Sequence, residues 1–217
     1  EKDFSLLKVK GQRERVVNPF TADEVNAILS TIENSDRYNL RDRATILLAY
    51  DSGLRWCDIR SLKLEDIDWN KGTVSVVQKK TGKPVFLPLS GKTMNAIADY
   101  ILNERPKCFL KEVFLSKNGI PRPMYGVSNN GMLKKVILES EVNVINGRGF
   151  HSLRRAYATE MSNAGVPLET ISQMLGHKSI EEDKPYLTYN REKISFLTFD
   201  FSLVPISAGY YLEKEEA

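Results

Sequence analysis

The sequence predicts a mainly α-helical domain carrying a small antiparallel β-hairpin or sheet. Apolar residues recur at helical spacing over most of the chain, as at Val25, Ile28, Leu29 and Ile32. The period switches to β-rich runs over residues 73–78 and 84–89. Between them, Lys79-Lys80-Thr81-Gly82-Lys83 supplies a glycine-containing turn. At 217 residues and 41% hydrophobic, the chain is long enough to bury one full core.

Each element has its own signal. Residues 1–18 are basic and weakly periodic, as expected of a linker. Thr21 caps a helix over 22–32, and Glu24 three residues on completes a capping box. A second helix, 40–51, is apolar at Ala44, Leu47, Leu48 and Ala49 and stops at Gly53. A short third helix follows from about Trp56 to Leu62. After the hairpin, helical patterns cover 92–103, about 127–139, 153–164, 168–175 and a short piece at 180–187. Ser90 and Pro167 are suited to start two of these. Gly119-Ile120-Pro121-Arg122-Pro123 reads as a rigid loop. Phe199-Asp200-Phe201-Ser202-Leu203 alternates like a half-buried strand and must dock on its own body or a neighbour. There is no internal repeat.

Composition excludes several classes. No run of eighteen apolar residues exists to span a membrane, and the first residues lack the pattern of a signal peptide. The missing initial methionine suggests a fragment of a longer protein. Cys57 and Cys108 are too few for a disulfide framework or a zinc site, so a reducing cytoplasm is the simple reading. Net charge is only +3, but basic residues cluster at Lys8/Lys10/Arg13/Arg15, Arg37/Arg41/Arg43, Lys79/Lys80/Lys83, Lys134/Lys135 and Arg148/Arg154/Arg155. Such clusters usually form solvated faces. They also suit a polyanion.

The chemistry-bearing residues converge on phosphate. Both histidines of the chain stand in motifs, His151 in His151-Ser152-Leu153-Arg154 and His177 in Leu175-Gly176-His177. Arg55 follows Gly53-Leu54, and guanidinium groups meet phosphate oxygens with paired hydrogen bonds. Taken singly, Arg55 and Arg154 read more readily as surface arginines, and each histidine could serve its own turn. His151 and Arg154, three apart, lie on one helical face. Lys80 at a hairpin tip is ordinarily just solvated. Tyr186, nine residues after His177, is the candidate nucleophile, with Tyr189 its competitor. A phenol needs its proton removed or its oxyanion stabilised, which neighbouring arginines and histidines would provide. Asp58, three residues after Arg55, suits a carboxylate that orients an arginine or histidine, or a plain surface Asp–Arg pair.

In this order and spacing, Gly53-Leu54-Arg55 with Asp58, Lys80 in a hairpin, His151-x-x-Arg154, Leu175-Gly176-His177 and Tyr186 resemble the tyrosine recombinase (phage integrase) family. Gly82 and the run Val85-Phe86-Leu87-Pro88-Leu89 also resemble the family's hairpin. The resemblance covers about residues 20–190 and implies the family's catalytic-domain fold. It implies a linker at 1–19 from an absent DNA-clamping domain, a catalytic domain at 20–190 and a tail at 191–217 that docks in cis or on a neighbouring protomer.

It also implies a site-specific recombinase that cuts and rejoins DNA through a 3′-phosphotyrosyl link, with no cofactor, metal or ATP. Tyr186 would attack, Arg55, Arg154 and His177 would bind phosphoryl oxygens, His151 would handle the phenol proton, and Lys80 would protonate the leaving 5′-oxygen. Its implied partners are double-stranded DNA carrying recombination sites, a homo-tetramer on that DNA and accessory DNA-bending proteins. Two departures stand out: Arg155 where many relatives have histidine, and Glu181-Glu182-Asp183 where small polar residues are frequent. The competing readings are a non-catalytic DNA-binding relative, a metal-free phosphodiesterase using His151 and His177, and the related topoisomerases and telomere resolvases.

Overall fold

The computed structural model describes residues 19–116, 119–124, 130–142 and 148–176. Seven helices and three strands occur among them: α1 (Ala22–Glu33), α2 (Leu40–Ser52), α3 (Trp56–Ile59), β1 (Ile67–Asp68), β2 (Thr73–Val77), β3 (Pro84–Pro88), α4 (Gly91–Asn103), α5 (Asn130–Glu139), α6 (Phe150–Asn163) and α7 (Leu168–Leu175). The mainly helical architecture with a small antiparallel sheet is as expected. The linker at 1–18, the helical piece at 180–187 and the strand-like run at 199–203 lie outside the described residues.

Local chemistry sets the helix ends. The Thr21 hydroxyl accepts the Glu24 N–H, while the Glu24 carboxylate accepts the Thr21 N–H at 2.9 Å. Asn39 caps α2 by accepting the Asp42 N–H at 2.9 Å. α2 stops at Gly53, whose φ of 63° is the left-handed conformation glycine adopts cheaply.

α2 is buried almost all round and packs against α1, α3, α4 and α6, so it forms the centre of the core. A charged pair is enclosed at its start: Arg41 donates to the Leu115 carbonyl at 2.8 Å and to Asp42 at 3.0 Å. At the other end, Asp51 accepts the Ser90 N–H at 2.6 Å and ties α2 to the start of α4. A smaller cluster, Tyr157, Ala158, Ile171 and Leu175, joins α6 to α7.

The sheet runs β1-β2-β3, antiparallel throughout, with Val74 opposite Leu87 and Val76 opposite Val85. These four face the core, while Ser75, Val77 and Phe86 face outward. Gln78 stands at the next inward position after Val76 and is wholly buried.

Besides shifts of a residue at several ends, one strand was not expected and two helices differ by about a turn from the sequence reading. β1 is two residues long, too short to show a period. α3 ends at Ile59 rather than Leu62, because the Leu62 carbonyl accepts the Val113 N–H at 2.8 Å and the chain is drawn into an extended path. α6 starts at Phe150 rather than Leu153, which places His151 inside the first helical turn and Arg154 in the second. The loop at 119–123 closes as a tight return, with Ser116 N–H donating to the Arg122 carbonyl at 2.9 Å.

Candidate functional site

Arg55 leaves the helix end that Gly53 creates. Leu54 is buried as an anchor, and Arg55 takes an extended conformation (φ −71°, ψ 148°) at the start of α3. Its Nη1 donates to Gln78 Oε1 at 2.5 Å. The next residue, Trp56, packs its ring 4.6 Å from that of Phe150, next to His151. This ring pair brings the Arg55 and His151 motifs together.

Arg154 is 1% exposed, which rules out a surface arginine. Enclosing a guanidinium costs several kcal/mol unless acceptors replace water. Here Nη1 donates to the Gly53 carbonyl at 2.7 Å and Nη2 to the Leu175 carbonyl at 2.6 Å. Both carbonyls stand at helix C-termini, of α2 and α7, where backbone oxygens lack helical partners and the helix dipole is negative.

Gln78 connects the two arginines. Its Nε2 donates at 2.9 Å to the same Leu175 carbonyl that Arg154 holds, and its Oε1 accepts from Arg55. Arg55, Gln78, Leu175, Arg154 and Gly53 thus form one continuous hydrogen-bonded chain. The sequence reading passed over Gln78. Strand alternation carried the signal, since a polar residue in register with Val74 and Val76 must find buried partners.

Asp58 is wholly buried, not a surface carboxylate. Its Oδ1 accepts the Lys79 backbone N–H at 2.9 Å and the Cys57 thiol at 3.7 Å; its Oδ2 has no hydrogen-bond partner among the described residues. Asp58 fastens α3 to the hairpin instead of orienting an arginine. Burial, followed by the Asp58 charge, pushes the Cys57 thiol up.

Lys80 lies in the β2–β3 turn and is exposed, flanked by the exposed Lys79 and Lys83. The turn is closed by Gly82 N–H donating to the Gln78 carbonyl at 2.8 Å and Gln78 N–H donating to the Lys83 carbonyl at 2.9 Å. His151 is exposed in the first turn of α6, so it and the buried Arg154 do not share one solvent-facing surface. His177, Tyr186 and Tyr189 lie outside the described residues. The residue before His177 is described: Gly176 has φ 64°, and a Cβ there would meet Gln78 Oε1 at 2.3 Å.

The basic clusters divide. Arg148 is buried, donating to Glu24 Oε1 at 2.6 Å and to the Pro19 carbonyl at 3.0 Å, with Phe20 beneath its guanidinium. Arg37, Arg41 and Arg43 each hold a carboxylate, of Glu139, Asp42 and Glu33. Arg41 and Arg148 are thus enclosed within the fold, while among the described residues Lys79, Lys80 and Lys83 form an exposed basic group on the hairpin. Among the described residues no group of three His, Cys, Asp or Glu side chains could hold a metal ion, and no helix is long and apolar enough to cross a membrane.

Comparison with known proteins follows the same outline. The phage integrase family matches residues 18–193. The protein y4gC of Sinorhizobium fredii (strain NBRC 101917 / NGR234), whose name gives it provisionally as an integrase/recombinase, is 32% identical over 86% of this chain and 96% of its own. Tyrosine recombinase XerD of Halalkalibacterium halodurans is 30% identical over 83% of this chain, which spans only 60% of that protein. The Tn1549 transposon integrase, solved in complex with transposon right end DNA, matches the fold with a TM-score of 0.67 at 18% identity, covering 83% of this chain and 66% of its own. By the extent of the family match and by these relatives, the chain belongs to the phage integrase family.

Proposed function

We propose that this chain is the catalytic part of a site-specific DNA recombinase that cuts and rejoins duplex DNA through a covalent link to Tyr186. The observation that carries the reading is the chain of hydrogen bonds from Arg55 through Gln78 and the Leu175 carbonyl to Arg154. It is a rigid mount for two guanidiniums, set two residues ahead of His177. Family membership and the DNA-bound Tn1549 integrase support DNA as the partner.

The reaction follows from charge. As the Tyr186 oxygen attacks phosphorus, negative charge grows on the non-bridging oxygens, where Arg55, Arg154 and His177 supply donors. His151 takes the phenol proton. The P–O5′ bond breaks, Lys80 gives a proton to the departing 5′-oxygen, and the products are a 3′-phosphotyrosyl link and a free 5′-hydroxyl. A 5′-hydroxyl of a second strand then attacks that link, releases the tyrosine and restores a phosphodiester. Phosphodiester energy is kept throughout, so no ATP enters. Each well-aimed donor contributes about 10²–10³ in rate.

On this reading residues 1–19 lead from a DNA-clamping domain, 20–190 form the catalytic domain, and the tail at 191–217 docks in cis or on a neighbour. Four copies act together on DNA in the cytoplasm, with DNA-bending proteins assisting.

Covalent capture tests it. The chain is incubated with a library of nicked random duplexes, protein-linked DNA is recovered under denaturing conditions, and the selected sequence is resynthesised as a defined substrate. A protein–DNA adduct that vanishes with Tyr186→Phe is expected. DNA binding without any adduct would establish a non-catalytic relative, and hydrolysis undiminished by Tyr186→Phe a phosphodiesterase. Relaxation of a plasmid lacking the selected sequence would favour a topoisomerase.

A further inference from the structure

We propose that Gln78 is a positioning residue of the DNA-cleaving site, whose carboxamide holds the Arg55 guanidinium and the end of α7 in one fixed relation. This role rests on the recombinase reading above. Three features support it.

The first is polarity. A guanidinium can only donate and a backbone carbonyl can only accept, so the group between them needs an acceptor on one side and a donor on the other. Gln78 offers Oε1 to Arg55 at 2.5 Å and Nε2 to the Leu175 carbonyl at 2.9 Å. A carboxamide provides both, on separate atoms.

The second is enclosure. Gln78 has no exposed surface, and Thr81 Oγ1 gives Oε1 a further hydrogen bond at 3.1 Å. Gly176 approaches the amide so closely that a methyl group would displace it. The amide is therefore held from three directions, and its two partners inherit that rigidity.

The third is placement. The Gln78 backbone closes the turn that carries Lys80, through its bonds with Gly82 and Lys83. One residue thus joins the hairpin of Lys80, the side chain of Arg55 and the helix end that leads to His177. A long arginine side chain loses considerable rotamer freedom when it binds phosphate, and an arginine already held loses less on meeting DNA.

The test uses the defined duplex recovered by covalent capture, with either an ordinary scissile phosphate or a methylphosphonate there. The methylphosphonate lacks one charged non-bridging oxygen and so needs its guanidiniums less. Gln78→Met, close in shape but without hydrogen bonds, is expected to leave duplex affinity within about threefold and to slow adduct formation about 30–100-fold on the phosphodiester. On the methylphosphonate the slowing is expected to shrink to within about fivefold. Gln78→Glu retains the acceptor for Arg55 but loses the donor for Leu175, and it is expected to fall between wild type and Gln78→Met. If Gln78→Met shows no cooperative thermal transition, Gln78→Glu is judged by the same comparison of substrates. Wild-type rates in these variants, or equal slowing on both substrates, overturn the role of Gln78 alone. Absence of any wild-type adduct instead overturns the recombinase reading, and this role with it.

Discussion

Asp58 accepts the backbone N–H of Lys79 at 2.9 Å, so a wholly buried carboxylate on α3 holds the base of the turn that presents Lys80. Backbone N–H groups in turns usually donate to water or to a carbonyl of the same turn; this one is anchored to the helix that Arg55 begins. Arg55 and Lys80 are therefore linked through the protein on two routes, one by way of Asp58 and one by way of Gln78.

Replacing Asp58 with alanine removes the acceptor and opens a small void beside Cys57. We expect Asp58→Ala to cost about 1–3 kcal/mol in urea denaturation. Hydrogen exchange should show faster turnover across residues 78–83 with little change in α2. If exchange in the hairpin stays at the wild-type rate, the Asp58 bond does not restrain the turn.

Gly53 carries a double constraint. Its φ of 63° is left-handed, and a Cβ there would lie 2.6 Å from Tyr157 Cδ1 and 2.9 Å from Leu175 Cδ2. Gly53→Ala should therefore lose stability on the order of 2–4 kcal/mol, combining backbone strain and overpacking. Because the Gly53 carbonyl accepts from Arg154, adduct formation should fall as well, even at temperatures where the variant is fully folded. Stability within about 0.5 kcal/mol of wild type would show that the backbone can relax around the new methyl group.

How much of this could be read in advance depends on range. Caps and helix stops are local, so Thr21 with Glu24 and the turn at Gly53 were legible from neighbouring residues. The Arg55 and Arg154 positions were legible from motif order, but their surroundings were not. That Arg154 is buried depends on carbonyls of Gly53 and Leu175, 101 and 21 residues away, and backbone oxygens leave no mark in a sequence. Asp58 looked like a partner for an arginine because both lie one helical turn apart. Folding brings the hairpin over α3 and offers the carboxylate a backbone N–H instead. Gln78 was the recoverable omission: the alternation Val74, Val76, Gln78 places an amide on the core side, where it needs partners from elsewhere.

Three tyrosines, one buried and two half-buried, give the fold a specific alkaline limit. Burial, reinforced by the Asp51 charge, pushes the Tyr157 phenol up from 10.0 to about 12. Burial together with Glu139 carries Tyr38 to about 12, and burial with Glu160 raises Tyr50 further. In each case the folded protein holds the phenol proton more tightly than the unfolded chain does. For Tyr38 and Tyr157 the resulting stability is complete below pH 10 and is lost as pH rises from about 10 to 12, because the unfolded state ionises first. One pKa unit corresponds to about 1.4 kcal/mol, so Tyr157 alone accounts for a loss on the order of 2–3 kcal/mol across that window. Tyr157→Phe retains the ring that packs under Gly53 and removes the ionisation. Urea denaturation followed from pH 8 to 12 should show a shallower decline for this variant than for wild type, with similar stability at pH 8. An unchanged slope would mean that the Tyr157 phenol reaches water when its proton leaves.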